Sequence, residues 1–485
     1  MKRIIVLAAL CAFVLSFAAV ASAADIKASG AWGVEAVWQD NWGFNDDTAA
    51  GQQTKRFRIA QRADTVFEFI ANENLKAVLY TRYGAQNWGE RSFMVSEGDN
   101  GQNTALENRI TVRRAYLDFN WPDTTINVKA GYQAMSLPAA FGGGSMILDD
   151  EIAGATVSGQ ITDNVGYLLG YARAYNDDGT NGSGDNYLNQ VDAWVAAVPM
   201  TFDGFSLTPF GMYAPIGSGF QVNDVTATPN GSKKAALMGV VAQNASDAAT
   251  GNSYNNAYWL GAAFTMDLFD PFVLAADFNY GKVDSDRKQN EMSGFLFDLA
   301  LDYKGFDFMT PEVFFAYTSG EDGNASKGNG SSERMPMLSA QNWAIGSFFF
   351  GGDTLYNGAI NGQDPATLGF WALGLTLKDI QSFAEGLTHT ATILYAQGTN
   401  DKSVGSAYTT AANQGSVNNL SYGNTLTEED HLVEVDFNTA YKVYDGLTMT
   451  LDLGYINADF DTSVWGQDNK GGDAWKVSTG IIYQF

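Results

Sequence analysis

A two-residue rhythm runs through much of the chain. Ile26, Ala28, Gly30, Trp32, Val34, Ala36 and Trp38 hold every second position, with Lys27, Ser29, Ala31, Gly33, Glu35 and Val37 between them. Successive side chains of an extended strand point to opposite faces, so this spacing predicts a strand with one apolar face and one small or polar face. The rhythm returns in Phe272, Leu274, Ala276, Phe278 and Tyr280, which alternate with Val273, Ala275, Asp277 and Asn279. Phe295 to Tyr303, with Asp298 and Asp302 on the second face, and Leu447 to Tyr455 repeat it. A soluble sandwich can alternate in this way, but its strands average about five to six residues. These runs reach about ten or more, the length that crosses hydrocarbon at a tilt.

The connections narrow the choice. Short turns fall at Asn72-Glu73-Asn74, Trp121-Pro122-Asp123, Thr162-Asp163-Asn164, Phe202-Asp203-Gly204 and Phe269-Asp270-Pro271. Three more fall at Lys304-Gly305-Phe306, Ile380 to Gly386 and Tyr444-Asp445-Gly446. Between them lie polar loops near 39–54, 85–105, 134–151, 176–188, 216–254, 284–292, 320–365, 399–429 and 460–472. Short turns on one rim and long loops on the other are the plan of a bacterial outer-membrane barrel. Eight turns and nine loops delimit 18 strands, or 16 if one turn–loop pair is spurious. Backbone polar groups in hydrocarbon need partners, so the sheet must close. The expected fold is all-β, a transmembrane antiparallel β-barrel of 16–18 strands, 18 by turn count.

Composition agrees: 52 Gly, 13% aromatic residues and only 10 Pro suit many strands joined by turns. Residues 1–23 read as an export leader, with Lys2 and Arg3 at the start, an apolar run from Ile4 to Val20, and the small-x-small site Ala21-Ser22-Ala23. Cleavage there leaves residues 24–485 as one transmembrane β-barrel domain. Cys11 is the only cysteine and leaves with the leader, so neither disulfides nor thiolate metal sites are expected. Without Lys2 and Arg3 the chain carries 26 basic and 54 acidic residues, a net −28. That balance excludes nucleic-acid binding and suits cation attraction or divalent-ion bridging to anionic lipid. No cofactor is expected beyond divalent cations held loosely at acidic loops.

The chain ends on Trp475-Lys476-Val477-Ser478-Thr479-Gly480-Ile481-Ile482-Tyr483-Gln484-Phe485, with Trp475, Val477, Ile481, Tyr483 and Phe485 on one face. This strand is similar to the terminal signal read by the outer-membrane barrel-assembly machinery, with Tyr483 and Phe485 as its aromatic positions. After the fifth strand comes Leu137-Pro138-Ala139-Ala140-Phe141-Gly142-Gly143, followed by Asp149, Asp150 and Glu151. That stretch resembles the third loop of the bacterial outer-membrane trimeric porins (the general porin superfamily), and the whole chain resembles porins of sulfate-reducing bacteria. The resemblance implies a homotrimeric, water-filled channel in the outer membrane of a Gram-negative bacterium, set among lipid and lipopolysaccharide. It would pass small hydrophilic solutes and ions by diffusion, and its third loop would fold into the lumen. Enteric porins carry Glu after the Pro and Asp after the glycine pair; here Ala139, Ala140 and Gly144 stand at those places. Asp149, Asp150 and Glu151 are the acids left to line a constriction.

A basic wall should oppose that loop. Arg56, Arg58 and Arg62 on strand two, Lys76 and Arg82 on strand three, Arg114 on strand four and Lys129 on strand five fall opposite the apolar positions of their strands. Charge at membrane depth is costly unless it meets water, so this face should line the pore, or brace it through Asp64, Glu68 and Asp118. Arg109 and Arg113 fall instead on the lipid-side parity, which calls for a bulge or a subunit contact. Only His389 and His431 could serve a hydrolase; they sit on different expected strands and outside any catalytic motif, so no enzyme is expected. Asp177-Asp178-Gly179 through Asp185 misses the EF-hand spacing and reads as a solvated loop. A substrate-selective 18-stranded channel for sugars or anions is the alternative, with Trp42, Trp88 and loop tyrosines as guiding aromatics; a plugged adhesive barrel is a third class.

Overall fold

The computed structural model describes residues 24–41, 44, 55–88, 110–176, 190–217, 255–285, 288, 291–323, 331–338, 343–351, 369–403, 425–467 and 469–485. The expected leader, Trp42, Arg109 and the 177–185 stretch lie outside them. The strands are β1 (Asp25–Asp40), β2 (Lys55–Asn72), β3 (Leu75–Asn87), β4 (Ile110–Asn120), β5 (Asn127–Ser136), β6 (Asp149–Thr162), β7 (Val165–Asn176), β8 (Gln190–Ala197), β9 (Met200–Phe202) and β10 (Phe205–Ile216). They continue as β11 (Asn255–Phe269), β12 (Phe272–Ser285), β13 (Met292–Tyr303), β14 (Thr310–Thr318), β15 (Phe370–Gln381), β16 (Leu387–Gly398), β17 (His431–Tyr444), β18 (Leu447–Asp459) and β19 (Gly471–Gln484).

Apart from β8 and β9, each strand pairs antiparallel with the next along the chain. β8 and β9 both pair with β7 and β10, so they make one crossing, broken at Val198-Pro199, where proline has no N–H to give the ladder. That gives 18 crossings, as the turn count implied. β1 pairs with β19 over Ala31↔Gln484 to Asp40↔Trp475, which closes the barrel and leaves no edge. Phe485 finishes the seam, exchanging backbone hydrogen bonds of 2.9 and 3.0 Å with Gly30.

Alternation sorts the two faces. Trp194 on β8 and Leu260 on β11 stand on the outer face at 55% and 64% exposure, whereas Trp259, beside Leu260, is 1% exposed on the inner face. The outer band therefore carries the large apolar side chains, as a lipid-facing surface requires. The inner face carries small and polar groups, many of them buried beneath two segments, residues 137–148 and the described residues 331–338 and 343–350.

Candidate functional site

The first segment leaves β5 at Leu137, whose N–H donates to Leu148 O at 2.9 Å and pinches the loop shut at its base. Its tip reaches the inner face of β12. The Ala140 N–H lies 2.9 and 2.8 Å from the two oxygens of Asp277, and the Phe141 N–H donates to Oδ2 at 2.9 Å. The Phe141 ring packs at 5.7 Å from that of Phe314 on β14. Gly142 has φ +78°, and a Cβ there would stand 2.8 Å from Trp343 O, so both conformation and space call for glycine. Pro138 is half-buried at the segment's start.

The second segment escaped the sequence reading. Ser347, Phe348 and Phe349 donate their N–H groups to Glu434 on β17 at 3.0, 2.9 and 2.9 Å, and the Ser347 N–H also donates to Asp436 at 2.8 Å. Lys476 on β19 donates to Ser347 O from the other side. Upstream, the Trp259 indole N–H donates to Pro336 O at 2.8 Å. The two segments bond to each other: the Gly143 N–H to Trp343 O at 3.1 Å, and the Leu338 N–H to Ile147 O at 2.9 Å. A signal for this existed in the run Trp343-Ala344-Ile345-Gly346-Ser347-Phe348-Phe349-Phe350, unusually apolar for a loop on a polar rim. Phe348 and Phe349 are fully buried.

A cavity of about 460 Å³ lies on the turn-rim side of these segments. Phe141 and Gly142 bound it from the first segment, and Ile345 and Gly346 from the second. Its wall carries Asp302, Glu312 and Lys378, with Thr376, Thr390, Thr392 and Asn438 beside them. Lys378 Nζ lies 3.1 Å from Asp302 and 2.5 Å from Glu312.

The cations expected to form a basic wall lie on β2 to β5, and Arg62, Arg82, Lys76 and Lys129 are engaged with acids of those strands. Arg62 and Arg82 share Asp64, at 2.9 and 2.6 Å, and Arg82 also donates to the Tyr80 hydroxyl at 2.9 Å. Lys76 meets Glu68 at 2.5 Å and Lys129 meets Asp118 at 4.0 Å. Arg58 pairs in register with the buried Val37, on the inner face. Arg56 lies in β2, with its side chain outside the described residues.

The three loop acids sit differently from expectation. Asp149, Asp150 and Glu151 begin β6, so they are wall residues, and alternation separates them. Asp150 pairs with the buried Met135, while Asp149 and Glu151 pair with Ser136 and Ala134, on the parity of the exposed Tyr132. Glu151 is taken by Arg113 and by Arg114, the latter at 3.4 Å. The Arg113 puzzle resolves as a bulge: Tyr80 pairs with Arg114 and Thr81 with Val112, which leaves Arg113 as the extra residue. The acid that meets the first segment is instead Asp277 on β12, five crossings beyond β6 round the wall.

His389 bonds Thr439 at 2.9 Å and stacks on Phe437, whereas His431 stacks on Tyr395. Both lie on the parity of the exposed Ile393 and Val435, away from the cavity. Trp88 is exposed and donates to Gln61 at 3.1 Å. Tyr483 and Phe485 stack at 5.7 Å on the outer face beside the closing seam.

No protein-family model and no curated protein matches the chain. Solved structures do. OccAB4 of Acinetobacter baumannii aligns with TM-score 0.51 and 11% identity over 95% of this chain and 98% of its own. A BenF-like porin from Pseudomonas fluorescens Pf-5 gives 0.51 and 11% over 95% and 99%. The outer membrane protein OprD from Pseudomonas aeruginosa gives 0.50 and 13% over 94% of each chain. At such identity the likeness is one of fold, and the fold is that of outer-membrane channel proteins. The narrower resemblance to general porins and to those of sulfate-reducing bacteria finds no support in these comparisons.

Proposed function

We propose that the chain is an outer-membrane channel of a Gram-negative bacterium, exported with residues 1–23 as a cleaved leader, that passes small hydrophilic solutes and ions passively. The observation that carries this reading is the polar cavity inside a closed barrel, bounded by two inward segments. Charged and hydroxylated side chains facing the interior of a membrane-spanning wall belong beside water. The inward segments narrow the path, and the solute-sized cavity with fixed charge and a threonine–asparagine wall favours a selecting channel over an unselective one. The arginines of β2 and β3 form one side of the path, and the acids of β12 to β18 form the other, in place of the expected loop acids. Purified protein added to planar lipid bilayers tests the reading: stepwise ion currents support it, and bilayers that stay silent with folded, inserted protein refute it.

A further inference from the structure

The cavity wall holds an arrangement that the basic wall does not. Asp302 on β13 and Glu312 on β14 are direct cross-strand partners. Like charges placed opposite one another on a sheet repel and are destabilising unless a third group intervenes. That group is Lys378 from β15, which reaches both carboxylates, at 3.1 and 2.5 Å. Two carboxylates share one ammonium, and the other polar groups bounding the cavity are neutral: Thr376, Thr390, Thr392 and Asn438. On β2 to β5, by contrast, Arg62, Arg82, Lys76 and Lys129 are set against Asp64, Glu68 and Asp118, with cations in excess.

The two walls therefore make opposite demands on a passing ion, and position decides between them. The triad bounds the same cavity as Phe141 and Gly346, the inward residues that close it from the loop side. Fixed charge acts strongly on an ion only within about a Debye length of 8–10 Å at ordinary salt. An ion in the cavity meets the triad at contact distance, with the residual negative charge of a carboxylate pair that one lysine half neutralises.

We propose that Lys378, clamped between Asp302 and Glu312, is the specificity-determining residue for charge: it holds the channel at a modest cation preference that the bare carboxylate pair would make strong. This rests on the channel reading above. It assigns selectivity to the cavity triad, and not to Arg58, Arg62 and their neighbours.

The experiment is a reversal-potential measurement in a potassium chloride gradient across planar bilayers. A unit charge about 5 Å from an ion in a water-like dielectric shifts its occupancy severalfold, so Lys378→Met should raise the potassium-over-chloride permeability ratio roughly 3- to 10-fold. Lys378→Arg should restore the wild-type ratio. Asp302→Asn with Glu312→Gln, keeping Lys378, should push the ratio below wild type toward chloride. The triple neutral variant Asp302→Asn, Glu312→Gln, Lys378→Met should fall between those extremes, and it guards against misfolding caused by an uncompensated carboxylate pair. A Lys378→Met ratio equal to wild type overturns the proposal, as does a larger shift from Arg58→Gln with Arg62→Gln than from Lys378→Met. A wild-type protein that carries no current overturns the channel reading itself.

Discussion

Asp277→Ala isolates the tether that holds the first inward segment across the barrel. In the native protein the Ala140 and Phe141 N–H groups both donate to this carboxylate, at 2.8 to 2.9 Å. Hydrogen bonds to a charged acceptor contribute about 1.5–3 kcal/mol each, so two donors account for about 3–6 kcal/mol of anchoring. At about 1.4 kcal/mol per factor of ten, their loss lowers the ratio of docked to released segment by about 10²- to 10⁴-fold. The Gly143 bond to Trp343, the Leu338 bond to Ile147, the Phe141–Phe314 ring contact and the buried Ile147 and Leu148 still oppose release. The alanine variant should therefore be inserted and closed as a barrel but flicker between the native conductance and a larger one. Asp277→Asn keeps one acceptor oxygen and should flicker less. Single-channel recording at fixed voltage reads this directly. Alanine-variant traces with native conductance and native noise would refute the idea that Asp277 holds a constricting segment.

Two further outcomes follow from the segments' attachments. Glu321, in the connection after β14, is 2% exposed; burial pushes its carboxyl up to about 7, against the opposing pull of Arg334 and the Ser332 hydroxyl. The folded state then binds more protons than the unfolded chain between pH 4.5 and about 7, so this group's contribution to local stability is greatest in acid and falls as pH rises through that window, by up to about 3 kcal/mol. Amide exchange at Ser332 and Leu338, corrected for intrinsic rates, should be slower at pH 5 than at pH 7.5, and Glu321→Gln should abolish the difference; an unchanged pH slope in that variant contradicts the assignment. A Cβ at Gly294 would stand 2.4 Å from Met335 N and 2.5 Å from Arg334 C, so Gly294→Ala must push the second segment off β13. We expect a cost of about 1–3 kcal/mol and faster exchange at Ser293, whose N–H donates to the Ser332 carbonyl; exchange equal to wild type would contradict this.

The barrel was legible because its determinants are local. Period-two patterning, the eight short turns and the terminal Phe485 each depend on neighbouring residues, and the strands begin and end close to where those signals fall. The inner positions of Asp277, Asp298 and Asp302 were legible for the same reason. What they touch was not, since Asp277 meets Ala140 across a separation of 137 residues, set by how a loop folds back over a closed sheet. Alternation also misled at one place. Reading Asp149 to Glu151 as loop residues put all three at the constriction, but β6 starts at Asp149 and so divides them between faces. The bulge at Arg113 inserts one residue, so simple alternation does not carry across it, and the arginine meets Glu151. The second segment was the largest omission; its apolar run marked it as buried, but which wall would cover it depended on Glu434 and Asp436, far along the chain.

On the proposed reading, the closed 18-strand wall encloses a wet path past two tethered segments. Conductance of the purified full-length protein in planar bilayers tests it most directly. The account predicts discrete, ohmic steps that persist at both polarities, and that grow in Asp277→Ala. Folded protein that inserts but passes no current, in the native form and in Asp277→Ala alike, would contradict it.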